Sequence, residues 1–136
     1  MQFTQFMDKY PVFSLEIAKS KTKFSSVDEI LAVLEAKVDA SPVASKIATF
    51  DHFEHTKNLQ DGEIAKDIMA AKHIVFCFGI KLPNPLAMAV RPRSIGVTEL
   101  TDRFVVAFME APNPQMNETL KGWVAELAVK VAASVQ

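Results

Sequence analysis

The apolar positions along the 136-residue chain switch repeatedly between a spacing of two and a spacing of three to four. Phe3, Phe6, Met7 and Tyr10 stand at i, i+3, i+4 and i+7, which predicts a short N-terminal helix ended by Pro11. Residues 12–18, VFSLEIA, alternate, with Phe13, Leu15 and Ile17 on one side, and predict a half-buried strand. KSKTK then reads as a solvated basic turn. Ser26 and Glu29 form a capping box, and Val27, Ile30, Leu31, Leu34 and Val38 mark the apolar face of a helix over 26–39, stopped by Ala40-Ser41-Pro42. Residues 44–51, ASKIATFD, return as a strand. Asp61-Gly62 breaks the polar stretch that follows, and Asp61 can cap a short helix over 63–71 with Ile64, Ile68 and Met69 inward.

The second half is more apolar. Residues 73–80, HIVFCFGI, form an unbroken apolar run that suits a central strand buried on both faces. Prolines at 83, 85 and 92 make 81–96 an ordered loop. VTEL at 97–100 and RFVVAFME at 103–110 predict a hairpin turning at Thr101-Asp102. After APNPQ, with Asn117 as the expected cap, Leu120, Trp123, Val124, Leu127, Ala128 and Val131 give a full helical stripe over 117–135. The fold predicted is α+β: a mostly antiparallel sheet of four or five strands, one face covered by the 26–39 and 117–135 helices. The other face is left to solvent or to a dimer partner.

Composition narrows the function classes. Length favours one domain spanning 1–136. Fifteen basic and sixteen acidic side chains give a net charge of −1, which argues against nucleic acid as a partner. No window approaches the roughly 18 apolar residues of a membrane span. The N-terminus lacks the pattern of a signal peptide, and the single Cys77 rules out an intrachain disulfide. Together these point to a cytoplasmic protein. Cys77, inside an apolar run, is expected to be buried and inert.

Two groups of residues could carry chemistry. The first is Asp51, His52 and His55, with His73 further along. A carboxylate can orient a neighbouring imidazole, and histidines at i, i+3 of a helical turn share a face, so His52 and His55 are candidate metal ligands or acid–base groups. The spacing matches no established zinc motif. The second is the loop GIKLPNPLAMAVRPR, residues 79–93. Gly79 permits a turn or a close approach, and Lys81, Arg91 and Arg93 place three cations beside Leu82, Leu86 and Met88. An apolar pocket with an arginine rim suits a small anionic or amphipathic ligand such as a carboxylate-bearing metabolite. Hydrolase, phosphate-loop and dinucleotide motifs are absent, and no motif specifies a cofactor.

Several of these segments, read in order, resemble a known family. They are Phe50-Asp51-His52 at a strand end, Val75–Gly79 closing in Phe-Gly, Asn84–Met88 after the turn, and the strand 104–112 ending in Pro112. Over about half of the chain this order is similar to a small α/β family of unknown function, domain of unknown function 302. The resemblance implies a sheet with helices on one side, often a dimer, and no established reaction. The positions it carries over are His52, Gly79 and the Leu82-Pro-Asn-Pro85 turn. The expected function is a homodimeric small-ligand-binding or interaction module with its pocket at His52, Gly79, Lys81, Asn84, Arg91 and Arg93. The alternative is a metal-dependent or acid–base enzyme using Asp51, His52 and His55. Docking into a larger complex through the Phe3/Phe6/Met7 stripe is a third possibility.

Overall fold

A computed structural model describes residues 1–135, with side chains through Ala128. Six strands form one sheet in the order β1-β2-β6-β5-β4-β3, and every neighbouring pair is antiparallel. They are β1 (Gln2–Phe6), β2 (Tyr10–Ala18), β3 (Ala44–Asp51), β4 (Ala70–Phe78), β5 (Arg93–Glu99) and β6 (Arg103–Met109). The helices are α1 (Val27–Ala40), the short α2 (His52–Lys57) and α3 (Pro114–Val135). Helix α1 crosses from β2 to the far edge of the sheet and packs over β3, β4 and β5, while α3 lies beside it over β2.

The core follows from the two periodicities. Phe13 and Ile17 of β2, Ile74 and Phe76 of β4, Ile95 and Val97 of β5 and Phe104, Val106 and Phe108 of β6 line one sheet face. Val27, Ile30, Leu31, Leu34 and Val38 of α1 and Leu120, Val124 and Leu127 of α3 meet them, all buried. Ser26 Oγ accepts the Glu29 N–H at 3.2 Å, and the Glu29 carboxylate accepts the Ser25 N–H at 2.7 Å, so the predicted cap forms one residue offset. The bonds from the Ser25 side chain and backbone hold the Glu29 carboxyl below its usual range. In the expected stripe of α3, Trp123 is half-buried and Ala128 exposed; the Val131 side chain lies outside the described residues.

The fold class is as expected, but the sheet has six strands rather than four or five. The extra strand is the predicted N-terminal helix. Phe3 pairs with Phe13 and Phe6 with Tyr10 across a hairpin whose turn residues Met7 and Asp8 have φ of 55° and 59°. That is the twist of a type I′ turn, made here without glycine. The helical spacing of Phe3 and Phe6 is coincidental: Phe3 stacks on Phe13 at 4.9 Å on the helix side, and Phe6 faces away. The predicted 63–71 helix is also absent. The Met69 N–H bonds Glu99 O at 2.8 Å and Ala70 and Ala71 pair with β5, so sheet ladder takes up the residues that helix needed. Strand β5 begins at Arg93, four residues earlier than the hairpin pattern showed.

At the start of α3, Asn113 is the cap: its Oδ1 accepts from the Gln115 and Met116 N–H groups at 2.8 and 3.4 Å. Asn117 has another role. Its Oδ1 accepts the Ala111 N–H at 2.6 Å and its Nδ2 donates to Ala111 O at 2.7 Å, which clamps the end of β6 to the first turn of α3.

Candidate functional site

Strand β4 ends at Phe78, and Gly79 turns the chain with φ of 110°, a conformation disfavoured for residues with a Cβ. Its N–H donates to Val43 O at 2.8 Å, which ties the turn to the entry of β3. Asn84 then caps a short 3-10 helix, Pro85–Val90, its Oδ1 accepting from Leu86 and Ala87 at 2.9 and 3.2 Å. The Arg91 guanidinium donates to Lys81 O at 2.6 Å and closes the loop on itself. A cis Arg91–Pro92 peptide leads into β5.

This loop forms one wall of a cleft of about 640 Å³. Pro112, Asn113, Gln115 and Met116, at the junction of β6 and α3, form the facing wall. The apolar lining includes Val43, Phe78, Leu86, Val90 and Met116, with Phe78 set against the Trp123 ring at 6.0 Å. The charged lining is all cationic: Lys81, Arg91 and Arg93, with no acidic side chain among the described lining residues. Arg93 is half-buried. It donates to Met109 O, its Nε is buried without a partner, and burial lowers its pKa from the ordinary guanidinium value. The first turn of α3 also holds no acidic residue, so the positive helix end adds to the field.

Five of the expected ligand-binding residues, Gly79, Lys81, Asn84, Arg91 and Arg93, therefore line one cleft. His52 does not. Antiparallel pairing sets Asp51 opposite Lys72 and Ala44 opposite Phe78, so His52 stands at the start of β4 and Gly79 at its end. Seven residues of strand separate those ends, roughly 23 Å. Sequence reasoning missed the second wall. The signal was present: Pro83-Asn84-Pro85 recurs as Pro112-Asn113-Pro114, and each asparagine caps the helical turn that its second proline opens.

A second groove of about 400 Å³ lies on the other side of the same loop, lined by Ile47, Cys77, Leu82, Met88 and Pro92 among others. Cys77 is exposed there, not buried as its apolar run suggested, because its side of β4 faces away from the helices. Ile47 occupies the β-bulge between Lys46 and Ala48.

The histidines form a separate cluster on this open sheet face. The His52 ring lies 5.9 Å from that of His55 and 5.3 Å from that of His73, and Phe50 contacts all three. His73 rests over Gly96, where an added Cβ would meet its ring at 3.4 Å. Burial, and then the charge of His52, lower the His73 pKa. Asp51 does not orient either neighbouring imidazole. Its Oδ1 caps α2 through the Glu54 N–H at 2.9 Å, and its Oδ2 lies 3.8 Å from Lys72 Nζ. Among the described residues no three His, Cys, Asp or Glu side chains are grouped to hold a metal ion.

An antiparallel sheet with its two long helices on one face and a cation-lined cleft beyond one strand end defines a small α+β class in which the fold itself supplies the cleft walls. The chain belongs to the family of unknown function DUF6858, whose sequence model matches residues 1–129. In fold it is similar to the crystal structure of uncharacterized conserved protein DUF302 from Bacillus stearothermophilus, with a TM-score of 0.52 and 14% identity over 90% of this chain and 94% of that chain. The likeness to domain of unknown function 302 read from residues 47–112 thus holds for the fold. Comparison with curated proteins finds no match. No described helix is long and apolar enough to cross a membrane.

Proposed function

We propose that this protein is a homodimeric small-ligand-binding module whose cleft takes an amphipathic organic acid. The observation that carries the reading is the lining: Lys81, Arg91 and Arg93 stand beside Phe78, Leu86, Val90 and Met116 with no acidic side chain to neutralise them. An acid group can take charge-assisted hydrogen bonds from the guanidinium groups while its apolar body covers the wall. Arg93 supports this role as a half-buried guanidinium on the cleft wall, where solvent screens its charge less than at a fully exposed position. The test is a thermal-shift screen of organic acids followed by calorimetry. Stabilisation by acids, lost in Lys81→Glu and weakened in Arg91→Gln, supports the reading. A flat response across the acids overturns it.

The homodimer rests on the open sheet face. Phe6, Tyr10, Phe50 and Met109 are 57%, 45%, 42% and 44% exposed and share that face with half-buried Val12, Val75 and Val105. Six strands spaced about 4.8 Å apart and roughly 20 Å long present about 600 Å² in projection. That is the scale of the ~800 Å² each partner contributes to a standard interface, so a second copy can cover it. Light scattering should give twice the chain mass for the parent and the monomer mass for Met109→Lys with Phe6→Glu. A monomeric parent at micromolar concentration overturns the assignment.

A further inference from the structure

The polar side chains of the cleft are almost entirely donors. Lys81, Arg91 and Arg93 can only donate. Asn84 and Asn113 would ordinarily offer a ligand both an oxygen and an NH₂, but each oxygen is already used. Asn84 Oδ1 accepts from Leu86 and Ala87, and Asn113 Oδ1 accepts from Gln115 and Met116. What remains on each is Nδ2. No serine, threonine, tyrosine, histidine or carboxylate lines the cleft among the described residues. Gln115, exposed at the start of α3, brings the one side-chain amide oxygen left over.

We infer that the cleft takes organic acids with no amino group near the acid function and discriminates against the matching α-amino acids. This rests on the cleft being the ligand site proposed above. An α-ammonium is bonded to the carbon that bears the carboxylate. It is carried in beside the cations with the carboxylate, so it meets like charge and finds the Gln115 side-chain oxygen as its one free side-chain acceptor. Specificity of this kind comes from what the site repels as much as from what it attracts. An amide or an amine of the same body lacks the negative charge that the cations select.

Calorimetry on the full-length protein distinguishes the possibilities with two matched series. The first is 3-phenylpropanoate, L-phenylalanine, 3-phenylpropanamide and 3-phenylpropylamine; the second is octanoate and 2-aminooctanoate. The acids are expected to bind at least tenfold more tightly than their α-amino counterparts, the amide or the amine. Equal or tighter binding of the amino acids overturns the inference while leaving the cleft as an acid site. Absence of binding by either acid overturns the ligand-site reading, and this inference with it. Asn84→Asp and Asn113→Asp provide the second arm. Aspartate keeps the capping oxygen and replaces the free NH₂ with an acceptor, so each fold is expected to keep its melting temperature. Each should weaken the acid about tenfold or more and narrow the gap to the amino acid. Unchanged affinities in both variants overturn the donor-only account.

Discussion

Gly79→Ala separates what the backbone needs from what packing needs at the mouth of the cleft. An ideal Cβ at residue 79 meets no heavy atom closer than Arg91 Nη2 at 3.6 Å, which is ordinary contact, so the methyl fits. The φ of 110° is the obstacle. Holding an L-residue there costs on the order of 1–3 kcal/mol. Alanine recovers about 0.4–1 kcal/mol by restricting the unfolded chain. The net loss is then about 0.5–2 kcal/mol, a fall in melting temperature of roughly 2–10 °C for a chain of this length. Urea unfolding should show a lower midpoint at unchanged slope. If the loop relaxes to escape the strain, the Gly79 N–H loses Val43 O, and amide exchange at residue 79 accelerates. A variant with parental stability and parental protection at residue 79 would refute the claim that this turn needs glycine.

Three further perturbations test the fold around the site. Gly122→Ala on α3 adds a Cβ that meets nothing within 4 Å, so helix propensity alone should raise stability by about 0.8–1 kcal/mol, read as a higher urea midpoint. Met7→Asn with Asp8→Gly supplies the residues a type I′ turn prefers and should stabilise by roughly 0.5–1.5 kcal/mol; a lower melting temperature would show that Met7 contributes more than its φ costs. His73 sets a pH dependence. Its folded pKa is lowered, so as pH falls through the ordinary histidine range the unfolded chain takes up the proton first and stability drops, down to the lowered value. His73→Asn should remove that loss, and parallel stability-versus-pH curves for the two proteins would show that residue 73 contributes none of it.

Local signals explain what was legible. The capping residues and the Val27, Ile30, Leu31, Leu34, Val38 stripe specify α1 within one turn of chain, and the alternation of Phe13, Leu15 and Ile17 specifies β2. The β5–β6 hairpin could be read because both partners adjoin their turn. The errors fall where a distant partner decides. Phe3, Phe6, Met7 and Tyr10 fit a helix as well as they fit two strands with a turn between them, and Met-Asp does not announce a type I′ turn. Residues 69–71 are claimed by Glu99 and Thr98, some thirty positions away, over their weak helical pattern. Cys77 sits in an apolar run that looks buried on both sides, yet the long helices α1 and α3 cover only the opposite face of the sheet.

The same topology accounts for the error about His52 and for the missing wall of the cleft. In an antiparallel pair the end of one strand meets the start of the next, so a residue just after β3 must stand by the beginning of β4, beside His73 and away from Gly79. Strands β4 and β6 both run antiparallel to β5, so their C-terminal ends lie on the same side of the sheet, two strand spacings or about 10 Å apart. Each is soon followed by Pro-Asn-Pro, at 83–85 and at 112–114. Proline at the first helical position and asparagine before it oblige each tripeptide to start a helical turn with its Oδ1 pointed at its own backbone. Two such caps beyond alternate strands of one meander are brought to a common strand end, with their NH₂ groups left over. The β5 strand between them starts with Arg93, which delivers a guanidinium into the gap. The donor-rich cleft is therefore a consequence of a repeated tripeptide placed at one interval of an up-and-down sheet, and it depends on pairing order as much as on any one residue.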